Sequence, residues 1–115
     1  MPDTQELVVL WTSGDQEVAE NMVFMYTLNA ALNDWWDDVT LLVWGASTGL
    51  LRDERSLDVW IDQFRDADVT LEACKSCAEN YDAVADLEDL DIDVYYVGET
   101  LTEYIKDDDT YLLTV

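Results

Sequence analysis

The segment Cys74-Lys75-Ser76-Cys77 carries the only two sulfhydryl groups of a chain that contains no histidine. Imidazole acid–base chemistry and imidazole metal ligation are therefore absent, and covalent chemistry falls to these two sulfurs. They follow a strand-like run, Val69-Thr70-Leu71-Glu72-Ala73, and open a helical pattern. A helix N-terminus carries about half a positive charge from its unpaired N–H groups. That field favours thiolate over thiol, and the thiolate is the nucleophile. Lys75 adds to it, while Glu72, Glu79 and a net charge of −22 oppose it. At high salt the distant charges are screened and the nearby positive ones win. Cys74, at the strand exit, is expected to be more exposed and more reactive than Cys77. Helical spacing aligns Cys77 with Tyr81 and Val84, towards the sheet.

Other readings of the pair are open. A zinc site normally takes four ligands. With no second pair, one would need completion across an oligomer axis, so no metal or other cofactor is expected. A thioredoxin-type pair faces a cis-proline, which this chain cannot supply, because its only proline is Pro2. The cysteines can also be inert packing, since cysteine is among the most buried residue types. Thr12-Ser13-Gly14-Asp15 suits either an oxyanion loop or an ordinary cap through Ser13 or Asp15. The cap is favoured, because there is no P-loop lysine and no Gly-x-Gly-x-x-Gly. Gly45-Ala46-Ser47-Thr48-Gly49 reads as a flexible turn lining a pocket.

Alternating elements must position these groups. Leu7 to Trp11 and Val39 to Trp44 are continuous apolar runs, as in strands buried on both faces. Val69 to Ala73, Ile92 to Val97 and Tyr111 to Val115 complete five strands. Helical patterns cover 16–33, 55–66, 74–90 and 100–106, the first with an apolar face too wide for one-sided burial. The expectation is an α/β fold: one domain over residues 1–115, a three-layer α/β/α sandwich with a mostly parallel five-stranded sheet. Chemistry in such sheets gathers at the C-terminal strand ends. Three loops leave those ends, at 12–15, 45–49 and 74–77.

The chain has 115 residues, 27 of them acidic and 5 basic. Such a surface excludes nucleic acid held by phosphate neutralisation and is repelled by anionic membranes. The acids are scattered over every element, as in a solvated coat suited to high salt. The N-terminus shows no signal-peptide pattern, and no stretch approaches the roughly 20 apolar residues of a membrane span. A cytoplasmic protein is expected. Paired thiols in a reducing compartment read as redox, metal-binding or catalytic. In the adjacent pair Trp35-Trp36, one ring is expected to face a neighbouring subunit, because both cannot point the same way.

Over almost its whole length the chain resembles the DsrE/DsrF-like sulfur-relay family. The resemblance lies in Trp11-Thr12-Ser13-Gly14-Asp15, Met22-Val23-Phe24-Met25-Tyr26, Leu42-Val43-Trp44-Gly45, Ala73-Cys74-Lys75-Ser76-Cys77-Ala78 and Gly98-Glu99-Thr100-Leu101-Thr102-Glu103-Tyr104. Asp82 stands where the family pattern leads one to expect glycine. The resemblance implies a trimer or hexamer in which Cys74 receives sulfane sulfur as a persulfide and passes it from donor to acceptor proteins. Cys77 then stands as a resolving thiol, forming a Cys74–Cys77 disulfide with release of sulfide, and Lys75 as a supporting charge. The rival is a non-catalytic binding or redox-sensing module with structural cysteines.

Overall fold

The structure, a computed structural model, describes residues 5–115; Pro2 and its neighbours lie outside them. Five strands form one sheet: β1 (Glu6–Trp11), β2 (Asp38–Val43), β3 (Thr70–Cys74), β4 (Asp93–Tyr95) and β5 (Thr110–Thr114). Their order is β4-β3-β2-β1-β5, and every pair is parallel. The apolar runs of β1 and β2 follow from this. Parallel strands are linked by crossovers that place helices on the faces, so Val8, Val9, Leu41 and Leu42 are all fully buried. The radius of gyration, 13.4 Å, is about the 13 Å expected of a single compact domain of this length.

The first crossover is one continuous rod: α1 (Gln16–Val18), a π-helical stretch (Ala19–Phe24) and α2 (Met25–Leu32). Then come α3 (Ala46–Asp53), a 3₁₀ turn (Arg55–Leu57), α4 (Asp58–Asp66), α5 (Lys75–Asn80), α6 (Val84–Asp89) and α7 (Gly98–Lys106). Two expectations need correction. Residues 46–49 are helix rather than flexible turn, for two reasons. Gly45, at φ 72°, turns the chain sharply after β2. The Ser47 hydroxyl then ties the first turn of α3 to the Trp11 carbonyl at 2.6 Å. The pattern read as one helix over 74–90 is two helices, broken at Asp82.

That break has a defined chemistry. Asp82 is left-handed (φ 52°). Its N–H bonds Glu79 O at 3.1 Å and the Ala83 N–H bonds Ala78 O at 2.7 Å, the paired bonds of a Schellman cap. Asp34, Asp68 and Asp91 do the same at the ends of α2, α4 and α6, with φ between 53° and 63°. Glycine usually takes this position because it lacks a Cβ; aspartate is among the few other residues that tolerate it.

The sheet's two faces are unequal. Leu7, Val9, Trp11, Leu41, Val43, Leu71 and Ala73 face a large core closed by Val23 and Phe24 of the rod, Leu51, Ile61, Phe64 and Leu87. Trp11 and Phe64 both meet Phe24 edge-on, with ring centroids 4.9 and 5.4 Å apart. Truncating one such ring to alanine typically costs about 3–5 kcal/mol. Among the described residues, the opposite face holds Val8, Leu42, Cys74 and Val97 as its buried apolar cluster, with Leu101 and Tyr104 of α7 against them. No residue of α7 is itself buried.

Candidate thiol site

Three chain turns meet at the C-terminal edge of the sheet. The Trp44 N–H donates to the Trp11 carbonyl at 3.0 Å. A Cβ placed on Gly14 would lie 3.2 Å from the Ala46 Cβ, a tight contact, so the first turn lies close against α3. The third turn holds both sulfurs. Cys74 is the last residue of β3 and the N-cap of α5, with an extended backbone and no side-chain capping bond. Cys77 lies in the first turn of α5, and its Sγ accepts the Gly45 N–H at 3.3 Å. Cys74 and Cys77 are both free thiols.

The expected order of exposure is reversed. Cys74 is 5% accessible and Cys77 is half-buried. The reason is strand geometry: alternate side chains share a face, so Cys74 falls on the Val8–Leu42 side and is enclosed there with Val97. Burial pushes the Cys77 thiol up from its ordinary value; the Gly45 N–H pulls against this, and the adjacent Cys74 thiol adds to the rise. Lys75 does not sit as a bare charge beside the sulfurs. Its ammonium lies 5.3 Å from the Tyr96 ring centroid, a cation–π distance, and the Tyr96 hydroxyl donates to Glu79 at 3.0 Å.

The loop at 12–15 is a cap. The Asp15 carboxylate accepts from the Glu17 and Val18 N–H groups at 2.8 and 3.1 Å. The N–H groups of Thr12 and Ser13 are held by the Val115 carbonyl at 2.7 and 3.2 Å, which leaves neither free for an oxyanion. Of the tryptophan pair, Trp35 is exposed, while the Trp36 ring packs tilted against Tyr111 at 5.3 Å between centroids and donates to the Tyr26 hydroxyl at 3.2 Å.

Glu72, read in the sequence only as a charge opposing the thiolate, lies two residues before Cys74 on the same side of β3. Glu72 is 9% accessible and accepts the Tyr95 hydroxyl at 2.5 Å and the Tyr104 hydroxyl at 2.7 Å. Tyr95 is the register partner of Cys74 across β3 and β4. Burial, and then the bond to Glu72, push Tyr95 up to about 12; the same causes raise Tyr104. The available signal was a lone carboxylate inside an otherwise apolar strand, where an acid is rarely buried without a partner.

No protein-family model and no curated protein matches the chain. Solved structures do, and two of them are informative. A conserved protein of unknown function from Bacteroides thetaiotaomicron, BT1422, has a TM-score of 0.91 and 32% identity, over 96% of this chain and 95% of that one. The YchN protein of E. coli has a TM-score of 0.71 and 14% identity, over 98% of this chain and 100% of that one. The second likeness is one of fold alone, and that fold is the DsrE/DsrF-like one. The chain thus belongs to the family of the Bacteroides protein BT1422, on the DsrE/DsrF-like fold that it shares with YchN.

Proposed function

We propose that this protein is a small cytoplasmic sulfur carrier of the DsrE/DsrF type that holds sulfane sulfur as a persulfide on Cys74, with Cys77 as its partner thiol. One observation carries the reading. The chain's two sulfurs lie one helical turn apart at the C-terminal edge of a parallel sheet, where chemistry in such folds gathers. No helix is long and apolar enough to cross a membrane among the described residues. The carrier works as a homo-oligomer, a trimer or hexamer, between a donor and an acceptor protein. The exposed Met22, Met25 and Trp35 along the rod support an assembly surface.

The 5% exposure of Cys74 favours a second reading, a redox-sensing or binding module with structural cysteines. Intact-mass measurement after treating the reduced protein with polysulfide separates the two. A carrier gains one sulfur atom on Cys74, reversibly removed by a dithiol. A protein that gains no sulfur, or gains it equally when Cys74 and Cys77 are both changed to serine, is not a carrier.

A further inference from the structure

We infer that sulfur enters this chain at Cys77 and is then passed inward to Cys74. The inference rests on the carrier reading above and assigns the order in which its two sulfurs act. Cys74 is enclosed with Val8, Leu42 and Val97 at 5% accessibility, so a donor persulfide does not reach it directly. Cys77 is half-exposed one turn further on, and its Sγ already accepts the Gly45 N–H at 3.3 Å. That donor is fixed in place: Gly45 holds the left-handed turn into α3, and Ser47 anchors the same turn to Trp11.

Two exchanges follow from this arrangement. In the first, the Cys77 thiolate attacks the outer sulfur of a donor persulfide, R–S–SH. A bond forms between Cys77 Sγ and that sulfur, the donor's S–S bond breaks, and its electron pair leaves with R–S⁻. In the second, Cys74 gives up its proton and attacks the same outer sulfur. The Cys74 Sγ–S bond forms and the bond to Cys77 breaks, its pair remaining on Cys77 Sγ, which takes up the proton. Neither exchange changes the overall oxidation state, and no further reactant is consumed. The Gly45 N–H acts in the second step, because a hydrogen bond to the charged form favours it and a better-stabilised thiolate leaves faster. The loaded Cys74 is then sheltered by the same side chains that kept the donor out.

Glutathione persulfide serves as the donor probe, under anaerobic conditions, with the added sulfur located by quenched-flow sampling and fragment-ion mapping. In the wild type the sulfur is expected on Cys77 first and on Cys74 later. Cys77→Ser should load Cys74 about tenfold more slowly or worse, since the donor must then wait for local opening of the buried site. Cys74→Ser should still load Cys77, with the sulfur remaining there, but lose it faster to added glutathione. Sulfur appearing first on Cys74, or Cys77→Ser loading at the wild-type rate, overturns the entry order and leaves the carrier reading standing. A Cys74–Cys77 disulfide with released sulfide shows attack on the inner sulfur and overturns the second step. A wild type that takes up no sulfur overturns both readings. Mild alkylation of the unsubstituted protein is independent of any variant: Cys77 should be labelled before Cys74, at a rate still climbing past the ordinary thiol value of 9.0, and the reverse order contradicts the inference.

Discussion

Changing Glu72 to glutamine removes one charge and nothing else of size, and its effect can be worked from two distances. The carboxylate accepts the Tyr95 and Tyr104 hydroxyls at 2.5 and 2.7 Å. Hydrogen bonds to a charged group contribute about 1.5–3 kcal/mol each, against about 0.5–1.5 for neutral ones. Glutamine keeps one acceptor oxygen and turns the other position into a donor, so one tyrosine keeps a neutral bond and the other must reverse its hydroxyl. The gross loss is about 2–3 kcal/mol. Relief of the desolvation cost of a buried carboxylate offsets part of it. A net destabilisation of about 1–2 kcal/mol remains, or a fall in Tm of roughly 4–8 °C for a domain of this size. Thermal unfolding measures it. Alkaline absorbance titration adds a second readout. Burial and Glu72 push wild-type Tyr95 up to about 12; without the carboxylate it should move down but stay above 10.0, because burial is the larger cause and persists. The sign for stability follows. The folded phenol ionises above the unfolded one, so the stabilisation is complete below pH 10 and is lost between about 10 and 12. A variant with unchanged Tm and an unchanged tyrosine titration would refute the account of Glu72 as the acceptor that ties α7 and β4 to β3.

Three further outcomes are expected. With −22 net charge, Tm should rise strongly in potassium or sodium chloride from about 0.05 to about 2 M, as the Debye length falls from over 10 Å to under 3 Å; a flat profile would show the acids to be locally compensated. Met25→Asp, in the exposed groove formed by Met22, Met25, Tyr26 and Trp35, should reduce the mass seen by light scattering at high salt; a wild type near 13.2 kDa would show the surface to be free. Asp82→Gly should stabilise by about 0.5–1 kcal/mol, because it removes a left-handed Cβ and an anion at a helix C-terminus, while Asp82→Ala should destabilise; urea unfolding that ranks the two equal would contradict the cap assignment.

The strands were legible because parallel burial leaves a plain mark: Leu7 to Trp11 and Val39 to Trp44 are apolar without alternation, and the structure pairs them along their length. The cysteine turn was legible for the same reason, as the end of such a strand. Other features left weaker marks. Tyr81, Val84 and Leu87 keep helical spacing across Asp82, so periodicity alone joined α5 to α6. Ala46 to Gly49 looked like a loop because its residues are small, yet small residues are what lets α3 sit against Gly14 and the Tyr81 ring. The burial of Cys74 depends on which face of β3 it occupies and on Val97 and Leu101, more than twenty residues away in sequence. Glu72, Tyr95 and Tyr104 were each visible, but each alone reads as a surface residue; only the β3–β4 register and the placement of α7 bring them together.

The four left-handed aspartates have a consequence for the unfolded chain. Glycine at a helix end is the most flexible residue in the denatured ensemble, and folding must remove that freedom. This protein has only four glycines, and none ends a helix as its left-handed cap. Its denatured state is therefore stiffer at each of these turns than that of a glycine-capped relative, which lowers the entropy lost on folding there. The net charge of −22 is carried into the unfolded chain as well, so salt acts on the ensemble from which the protein folds as well as on the folded surface.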